Sequence, residues 1–517
     1  MLKPASQKLS ESVCKVKLPV AQGDKNQRKL SQETLSCIQT KAKTMLQALG
    51  FVEILGPAKH GGRIQAYSQN WRVLTQDPWI LEVVQGMKIP WLSLPRQKVE
   101  PNQLTFSTEI TQKVSVEVAK MTELGVIQKC QDTQTQFVST LFLRPKKDGG
   151  VRPIINLKHL NNHLEYQHFK IEGIPALIDT IQLNDFMYKI DLSNAYWTVP
   201  VHPIDRKWLR FRWQGQMYEF LVWPFGLGPV PRWFTKLLKP VVAFLRRIGT
   251  RNIIYMDDLW GGEQEQKVSV LHAYLTAGLL EALGFLVNWK KSVLDPTQVL
   301  DDYLGFIIDS TELRLYLPSL KIQKIQAACR DLLDQKTITV RLVAKVIGQL
   351  VAASRAVFPA PLHYRQLQMT QISNLLKNQR RYGSTMTLTQ GCRRELLWWI
   401  ENLNDWNGKS FTMTVPSGAL EIETDASNMG WGAVCEGVTT QGRWKEEEKS
   451  LHINSKELLA ASLAIKAFTK NRQVKHVHLK TDNMTTMGQI NNMGSTTSRG
   501  LFQLTTELWD YCITNNI

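Results

Sequence analysis

Two adjacent carboxylates, Asp257 and Asp258, follow Ile253-Ile254-Tyr255-Met256 and precede Leu259-Trp260-Gly261-Gly262. Apolar, β-branched residues around an acidic pair read as a β-hairpin with acid at its tip. Carboxylate oxygens fixed in this way are hard ligands suited to a pair of Mg²⁺ ions that serve in-line phosphoryl transfer. Two acids in a loop more often form a solvated turn, so the chemistry calls for a third carboxylate from another strand. Asp191 is the natural candidate, because it ends the apolar run Met187-Tyr188-Lys189-Ile190 and lies five residues before Tyr196. Alone, such an Asp is as readily a helix cap. With Asp257 and Asp258 it completes a metal-holding set.

The elements that must position these residues belong to a long chain. At 517 residues it exceeds what one core supports and should hold three or four structural units. Its 63 Lys and Arg against 45 Asp and Glu give a formal charge of +18, which favours a polyanionic partner such as nucleic acid. The seven cysteines are scattered without a Cys-x-x-Cys pair, so reduced thiols and no structural zinc are expected. No apolar run reaches the length of a membrane span and no signal core opens the chain, so a cytoplasmic or nuclear protein, neither secreted nor membrane-bound, is expected.

Residues 1–30, rich in Lys, Gln and Ser, are expected to be disordered. Periodicity predicts helices near 32–49, 105–124, 233–248 (kinked at Pro240) and 270–283, and a helical region opening at Pro318-Ser319 and reaching about Gln368. Strands are predicted over 187–192 and 252–256, with a hairpin from 138–143 and 151–157 around a basic tip. A composition shift near Pro416-Ser417-Gly418 opens a separate α/β unit, with strands at 419–424, 430–435 and 477–481 and a helix at 457–468.

Lys189-Ile190-Asp191-Leu192-Ser193-Asn194-Ala195-Tyr196, Trp223-Pro224-Phe225-Gly226-Leu227-Gly228 and Tyr255-Met256-Asp257-Asp258 resemble, in order and spacing, successive motifs of reverse transcriptases. Leu283-Gly284-Phe285 with Lys290-Lys291, and Leu304-Gly305-Phe306, resemble the two that follow. The resemblance implies that Asp191, Asp257 and Asp258 hold two Mg²⁺ ions, with Mn²⁺ as a substitute. It implies that Tyr196 stacks beneath the incoming sugar and excludes a 2′-hydroxyl, and that Phe225 and Gly226 line the nucleotide pocket. The basic hairpin from Arg144 to Pro153 resembles the fingers element that closes on the triphosphate, with Arg152 gripping phosphates and Lys146 or Lys147 adding a second contact. Asn194 stands where many relatives carry Asp; little consequence is expected, since that position acts mainly through its backbone.

Glu423-Thr424-Asp425-Ala426-Ser427, Ser455-Lys456-Glu457-Leu458 and Thr481-Asp482-Asn483 resemble three elements of a ribonuclease H domain. That resemblance implies two more Mg²⁺ ions held by Asp425, Glu457 and Asp482. The family's fourth carboxylate would lie beyond Ile517, so an incomplete domain of doubtful nuclease activity is expected. Gly61-Gly62-Arg63, Trp71, Asp77-Pro78-Trp79-Ile80-Leu81, Gly86-Met87-Lys88-Ile89-Pro90 and Leu397-Trp398-Trp399 are similar to DIRS-type retrotransposons, with Ty3-like or pararetroviral affiliation open.

The expected fold is α+β and multidomain. A disordered basic start (1–30) and an element-specific region (31–98) precede reverse transcriptase fingers and palm (99–316). Thumb and connection helices (317–415) and a truncated ribonuclease H-like domain (416–517) follow. The implied function is RNA-directed DNA polymerisation, with RNA template, DNA primer, RNA–DNA hybrid and dNTPs as partners, alongside an element-encoded tyrosine recombinase and a Gag-like protein. The alternative is an element-derived nucleic-acid-binding protein without catalysis.

Overall fold

A computed structural model describes residues 30–56, 59–145, 150–411 and 418–517. The expected disorder of the first 30 residues falls almost wholly outside this set, as do Lys146 and Lys147. The chain divides into two compact units, one ending at Leu304 and one spanning Gly305–Ile517.

The centre of the first unit is a four-stranded antiparallel sheet in the order Val293–Thr297, Phe186–Asp191, Asp258–Glu263, Arg251–Tyr255. Its strands carry Met187, Tyr188, Ile190, Ile253, Leu259 and Trp260 into the core, all 1% exposed or less. Glycine at position 261 is required here: a Cβ would lie 2.2 Å from the buried Tyr188 ring. The helices Val230–Arg247 and Gln266–Ala282 pack against this sheet. The first runs on through Pro240, where sequence reasoning expects a kink. Leu237, Leu238, Val241 and Val242 are buried on either side and hold both halves against the sheet.

A second sheet pairs Ile127–Cys130, Gln216–Phe220 and Arg210–Trp213 antiparallel, with Val138–Ser139 added in parallel. The basic hairpin forms from Leu141–Pro145 and Val151–Ile155. The region before residue 99 is folded onto the end of the helix Gln266–Ala282: Asn70 Nδ2 donates to the Ala282 carbonyl at 2.7 Å and Trp71 Nε1 to that of Leu283 at 2.9 Å.

In the second unit, the expected helical region from Pro318 is broken into Ser319–Asp334, Val340–Ala353 and Arg365–Lys377. The two-residue strand Ile338–Thr339 and a turn at Ala360–His363 interrupt it. Thr339 caps the second helix by accepting from Leu342 N at 3.3 Å, a start signal inside what reads as continuous periodicity. The C-terminal region is built on a sheet ordered Val438–Arg443, Gly430–Cys435, Leu420–Ala426, Val477–Lys480, the last pair parallel. Its first strand, polar and half-exposed, carries no alternation by which sequence reasoning would find it. The helix Ile453–Thr469 covers this sheet. Among the described residues, no helix is long and apolar enough to cross a membrane.

Candidate active site

Tyr255 pairs with Asp258, leaving Met256 and Asp257 as a two-residue hairpin loop with Met256 at φ 56°. Such loops favour left-handed turn residues, because their twist matches that of the strands. Asp258 in turn lies directly opposite Asp191 on the neighbouring strand, on the same face of the sheet. Main-chain bonds fix both acidic segments. Asp257 O accepts from Leu192 N at 2.9 Å, Asp191 O from Asn288 N at 2.8 Å, and Asp191 N donates to Ser292 Oγ at 3.1 Å.

Like charges placed opposite one another destabilise a sheet, and the acids record that cost. Burial, then the charges of Asp257 and Asp191, pushes Asp258 up to about 6. Burial, with Asp191 beside it, also raises Asp257, while Lys291 and Arg152 pull it down. Lys291 Nζ stands 3.9 Å from Asp191 Oδ2. Three carboxylates offering only oxygen donors, two of them raised by burial and by the charge of a neighbouring acid, fit a hard divalent cation. The three are spread more widely than the tail acids, which, among the described residues, are the one set of three potential ligands whose atoms all lie within 4.8 Å of each other.

Beside the acids lies a cluster of aromatic rings. Tyr196 Oη donates to Met256 Sδ at 3.5 Å, and its ring centroid is 5.2 Å from that of Phe225 and 5.1 Å from that of Phe234. Burial, then the neighbouring Asp257, pushes the phenol up to about 12, so it stays neutral at physiological pH. Gly226 adopts φ +107°, and a Cβ there would stand 2.9 Å from the Ile155 carbonyl oxygen. Asn194 sits at φ 51°, ψ 41°, a left-handed conformation that Asn tolerates, and its carbonyl accepts from Trp197 N at 2.8 Å.

The basic hairpin places Arg144 opposite Arg152. Two cations in register, with Arg152 exposed and acting on Asp257, are suited to an anion between them. Arg144 has no assigned role in the sequence reading, although symmetry about the turn already pairs it with Arg152. Asn161 is a second residue whose role goes unread. Its Nδ2 donates to Gly226 O at 3.0 Å and its Oδ1 accepts from Gly228 N at 2.9 Å, tying the 226–228 loop to the segment after the hairpin.

In the second unit, Asp425 lies near the end of Leu420–Ala426, Asp482 just past the parallel strand Val477–Lys480, and Glu457 on the covering helix. Parallel pairing carries both aspartates to the same edge of the sheet, where α/β proteins characteristically bind ligands. Glu457 is 5% exposed and its Oε2 is buried with no hydrogen-bond partner among the described residues. Burial, then Asp425 and Asp482, raises its pKa. An orphaned buried carboxylate oxygen among like charges fits a cation. Asn483 steadies the edge, donating from Nδ2 to Asn454 Oδ1 at 3.1 Å and accepting from Thr486 N at 2.8 Å.

Residues 144–308 match the family described as reverse transcriptase (RNA-dependent DNA polymerase). Polyprotein P3 of Commelina yellow mottle virus is 25% identical over 292 residues, which cover 56% of this chain and 14% of that protein. The transposon Tf2-3 polyprotein of Schizosaccharomyces pombe is 23% identical over 369 residues, covering 67% of this chain and 25% of the polyprotein. The chain thus spans a quarter or less of the length of these two relatives. Among solved structures, the foamy viral protease-reverse transcriptase dRH in complex with double-stranded DNA superposes with a TM-score of 0.55 at 17% identity, over 95% of this chain and 82% of that one. The fold is that of the retroviral polymerases, α+β and multidomain, with a further α/β domain behind it.

Proposed function

We propose that the chain is an RNA-directed DNA polymerase of a retroelement, extending a DNA primer on an RNA template with dNTPs. The observation that carries this reading is the register pairing of Asp191 with Asp258 beside the hairpin loop of Asp257, next to the pocket of Tyr196, Phe225 and Gly226. The family match over residues 144–308 and the polymerase fold support it.

Asp191, Asp257 and Asp258 would hold two Mg²⁺ ions, or Mn²⁺ in their place. When bound, the ions acidify the primer 3′-hydroxyl and neutralise the triphosphate. The chain's own residues supply geometry and charge. Main-chain bonds at Leu192, Asn288 and Ser292 fix where the acids stand. Arg152, with Arg144 across from it, grips phosphate oxygens, and Lys146 or Lys147 supplies a second positive contact. Tyr196 lies under the sugar and excludes a 2′-hydroxyl, with its own hydroxyl occupied by Met256. Gly226 lets the backbone approach the nucleotide. No side-chain nucleophile takes part.

In this reading residues 99–316 are fingers and palm, 317–415 thumb and connection, and 416–517 a ribonuclease H-like domain behind an element-specific region at 31–98. Asp425, Glu457 and Asp482 would hold the metal ions of a nuclease acting on RNA in a hybrid, a role supported by the unpartnered Glu457 oxygen. The motifs around Gly61-Gly62-Arg63 and Trp71 favour a DIRS-type element, with a tyrosine recombinase and a Gag-like protein encoded alongside; an integrase gene in the adjoining DNA would exclude that affiliation. The polymerase assignment is tested by primer extension on an RNA template. Extension should need dNTPs and Mg²⁺ and stop on chelation. Hybrid binding without incorporation under either Mg²⁺ or Mn²⁺ would reject it.

A further inference from the structure

We propose that Trp71 and Gly62, both from the region before residue 99, are positioning residues that set how strictly the Tyr196 ring excludes a ribose 2′-hydroxyl. This role rests on the polymerase reading and on the place of Tyr196 in it. The hydroxyl of Tyr196 reaches the thioether of Met256, a weak acceptor, at 3.5 Å. So long a bond holds the ring loosely, and its place is set by what packs against it and by the turn that carries it. Both lead back to residues 62 and 71.

On the packing side, edge-to-face contacts run in a row from Tyr196 into the N-terminal region. Tyr196 meets Phe234 at 5.1 Å and 70°, Phe234 meets Phe285 at 6.0 Å and 83°, and Phe285 meets Trp71 at 6.0 Å and 73°. Phe234, Phe285 and Trp71 are 1% exposed or less, and edge-to-face pairs at this spacing are directional. In an interior packed as densely as a crystal, a ring removed at one end lets the next one shift. Trp71 is itself anchored. Its Nε1 donates to the Leu283 carbonyl at 2.9 Å, and the adjacent Asn70, fully buried, bonds Val52 N, Val52 O and the Ala282 carbonyl. The same anchor holds the segment after Leu283, where Leu286 O accepts from Ser193 N at 2.7 Å, shortly before Tyr196 in the chain. On the backbone side, Gly62 N donates to Trp197 O at 2.9 Å and holds the turn Ala195–Thr198. Gly62 stands at φ +68°, and a Cβ there would press on Pro200 Cβ at 3.3 Å, so another residue would displace this contact. The region before residue 99 thus secures Tyr196 through its ring and through its turn. A ring excludes one hydroxyl only while it cannot yield, and a misplacement of about 1 Å caused far from the chemistry changes rates by orders of magnitude.

The test is single-nucleotide incorporation by the full chain on a DNA primer annealed to an RNA template, with a dNTP and the matching rNTP, reading the ratio of their kcat/KM values. Trp71→Leu should lower the preference for dNTP about tenfold, and Gly62→Ala should lower it in the same direction. Trp71→Phe, which keeps a ring against Phe285, should retain most of the preference. Val83→Ala, equally buried in the same region but no part of the row of rings, should stay within about twofold of the parent. In a Tyr196→Ala background, where the discrimination is already lost, Trp71→Leu should change the ratio no further. Melting curves show which variants are folded; if Trp71→Leu is not, Gly62→Ala, at a half-buried position, decides the matter. A parental ratio in the deciding variant would overturn the proposal, as would an equal fall in Val83→Ala. A parent chain that incorporates neither nucleotide would instead reject the polymerase reading, and one that takes dNTP and rNTP alike would reject the role of Tyr196; either result removes this inference with its premise.

Discussion

At the scale of single residues, the acids sit where a fold acting for stability alone would not put them. Asp258 faces Asp191 across the sheet, and its ordinary value of 3.8 is raised to about 6 by burial and by its neighbours. A carboxyl raised in the folded state binds its proton more tightly there than in the unfolded chain. Its contribution to stability is therefore full below the ordinary value and is lost as pH rises through about 6. Asp258→Asn should raise stability at pH 7.5 by about 1–2 kcal/mol, after allowance for solvent screening, with the gain vanishing near pH 4. Denaturant melts at the two pH values measure it. Gly226→Ala adds a Cβ 2.9 Å from the Ile155 carbonyl at a φ of +107°. It should cost about 1–3 kcal/mol of stability and raise the KM for dNTP, read by melts and steady-state incorporation. The residues with these roles were legible in the sequence to different degrees. Asp191, Asp257 and Asp258 announce themselves by apolar runs ending in acid. Asn161 gives no such sign, because its partners are main-chain atoms 65 and 67 residues away. The buried, unpartnered oxygen of Glu457 is likewise invisible until the helix lies over the sheet.

At the scale of elements, the acidic hairpin stands on a buried ion pair. Asp185, fully buried, accepts from Arg251 Nη1 and Nη2 at 2.7 Å each, from Gln182 N at 2.8 Å and from Gln264. Removing one partner of a buried pair leaves the other charge uncompensated. Asp185→Asn should destabilise the first unit by about 2–4 kcal/mol and lower kcat without moving any residue of the nucleotide pocket in sequence. In the second unit, Glu395 accepts from Gln366 N and Leu367 N at 2.8 Å each, at the start of Arg365–Lys377. Burial raises it from 4.5 to about 8. The same sign applies: its stabilising contribution is lost as pH rises through about 8. Wild-type stability should fall between about pH 4.5 and 8, and Glu395→Gln should flatten that fall. Strands of the first unit's central sheet were legible because β-branched and aromatic runs end in acid or glycine. The strand Val438–Arg443 was not, because an edge strand of Thr, Gln and Gly lacks the alternation that a buried face imposes. The long periodicity after Pro318 hid two breaks, since Thr339 and the Ala360–His363 turn interrupt the helices without disturbing their apolar spacing.

At the scale of the whole molecule, a net charge of +18 suits the polyanionic template and primer of the proposed polymerase. Affinity for a hybrid should fall steeply and linearly on a log–log plot against salt, as expected when Lys and Arg displace counterions from phosphates. A slope near zero would remove the electrostatic part of the account. Each unit carries its own acidic set, so the two chemistries should separate by mutation: Asp425→Asn should leave incorporation intact. The measurement that bears most directly on the central claim is single-turnover dNTP incorporation by Asp257→Asn, on an RNA template with saturating Mg²⁺, compared with the parent chain. The account predicts a loss of about 10³-fold or more with hybrid affinity within about threefold of the parent. Incorporation at the parental rate would contradict it.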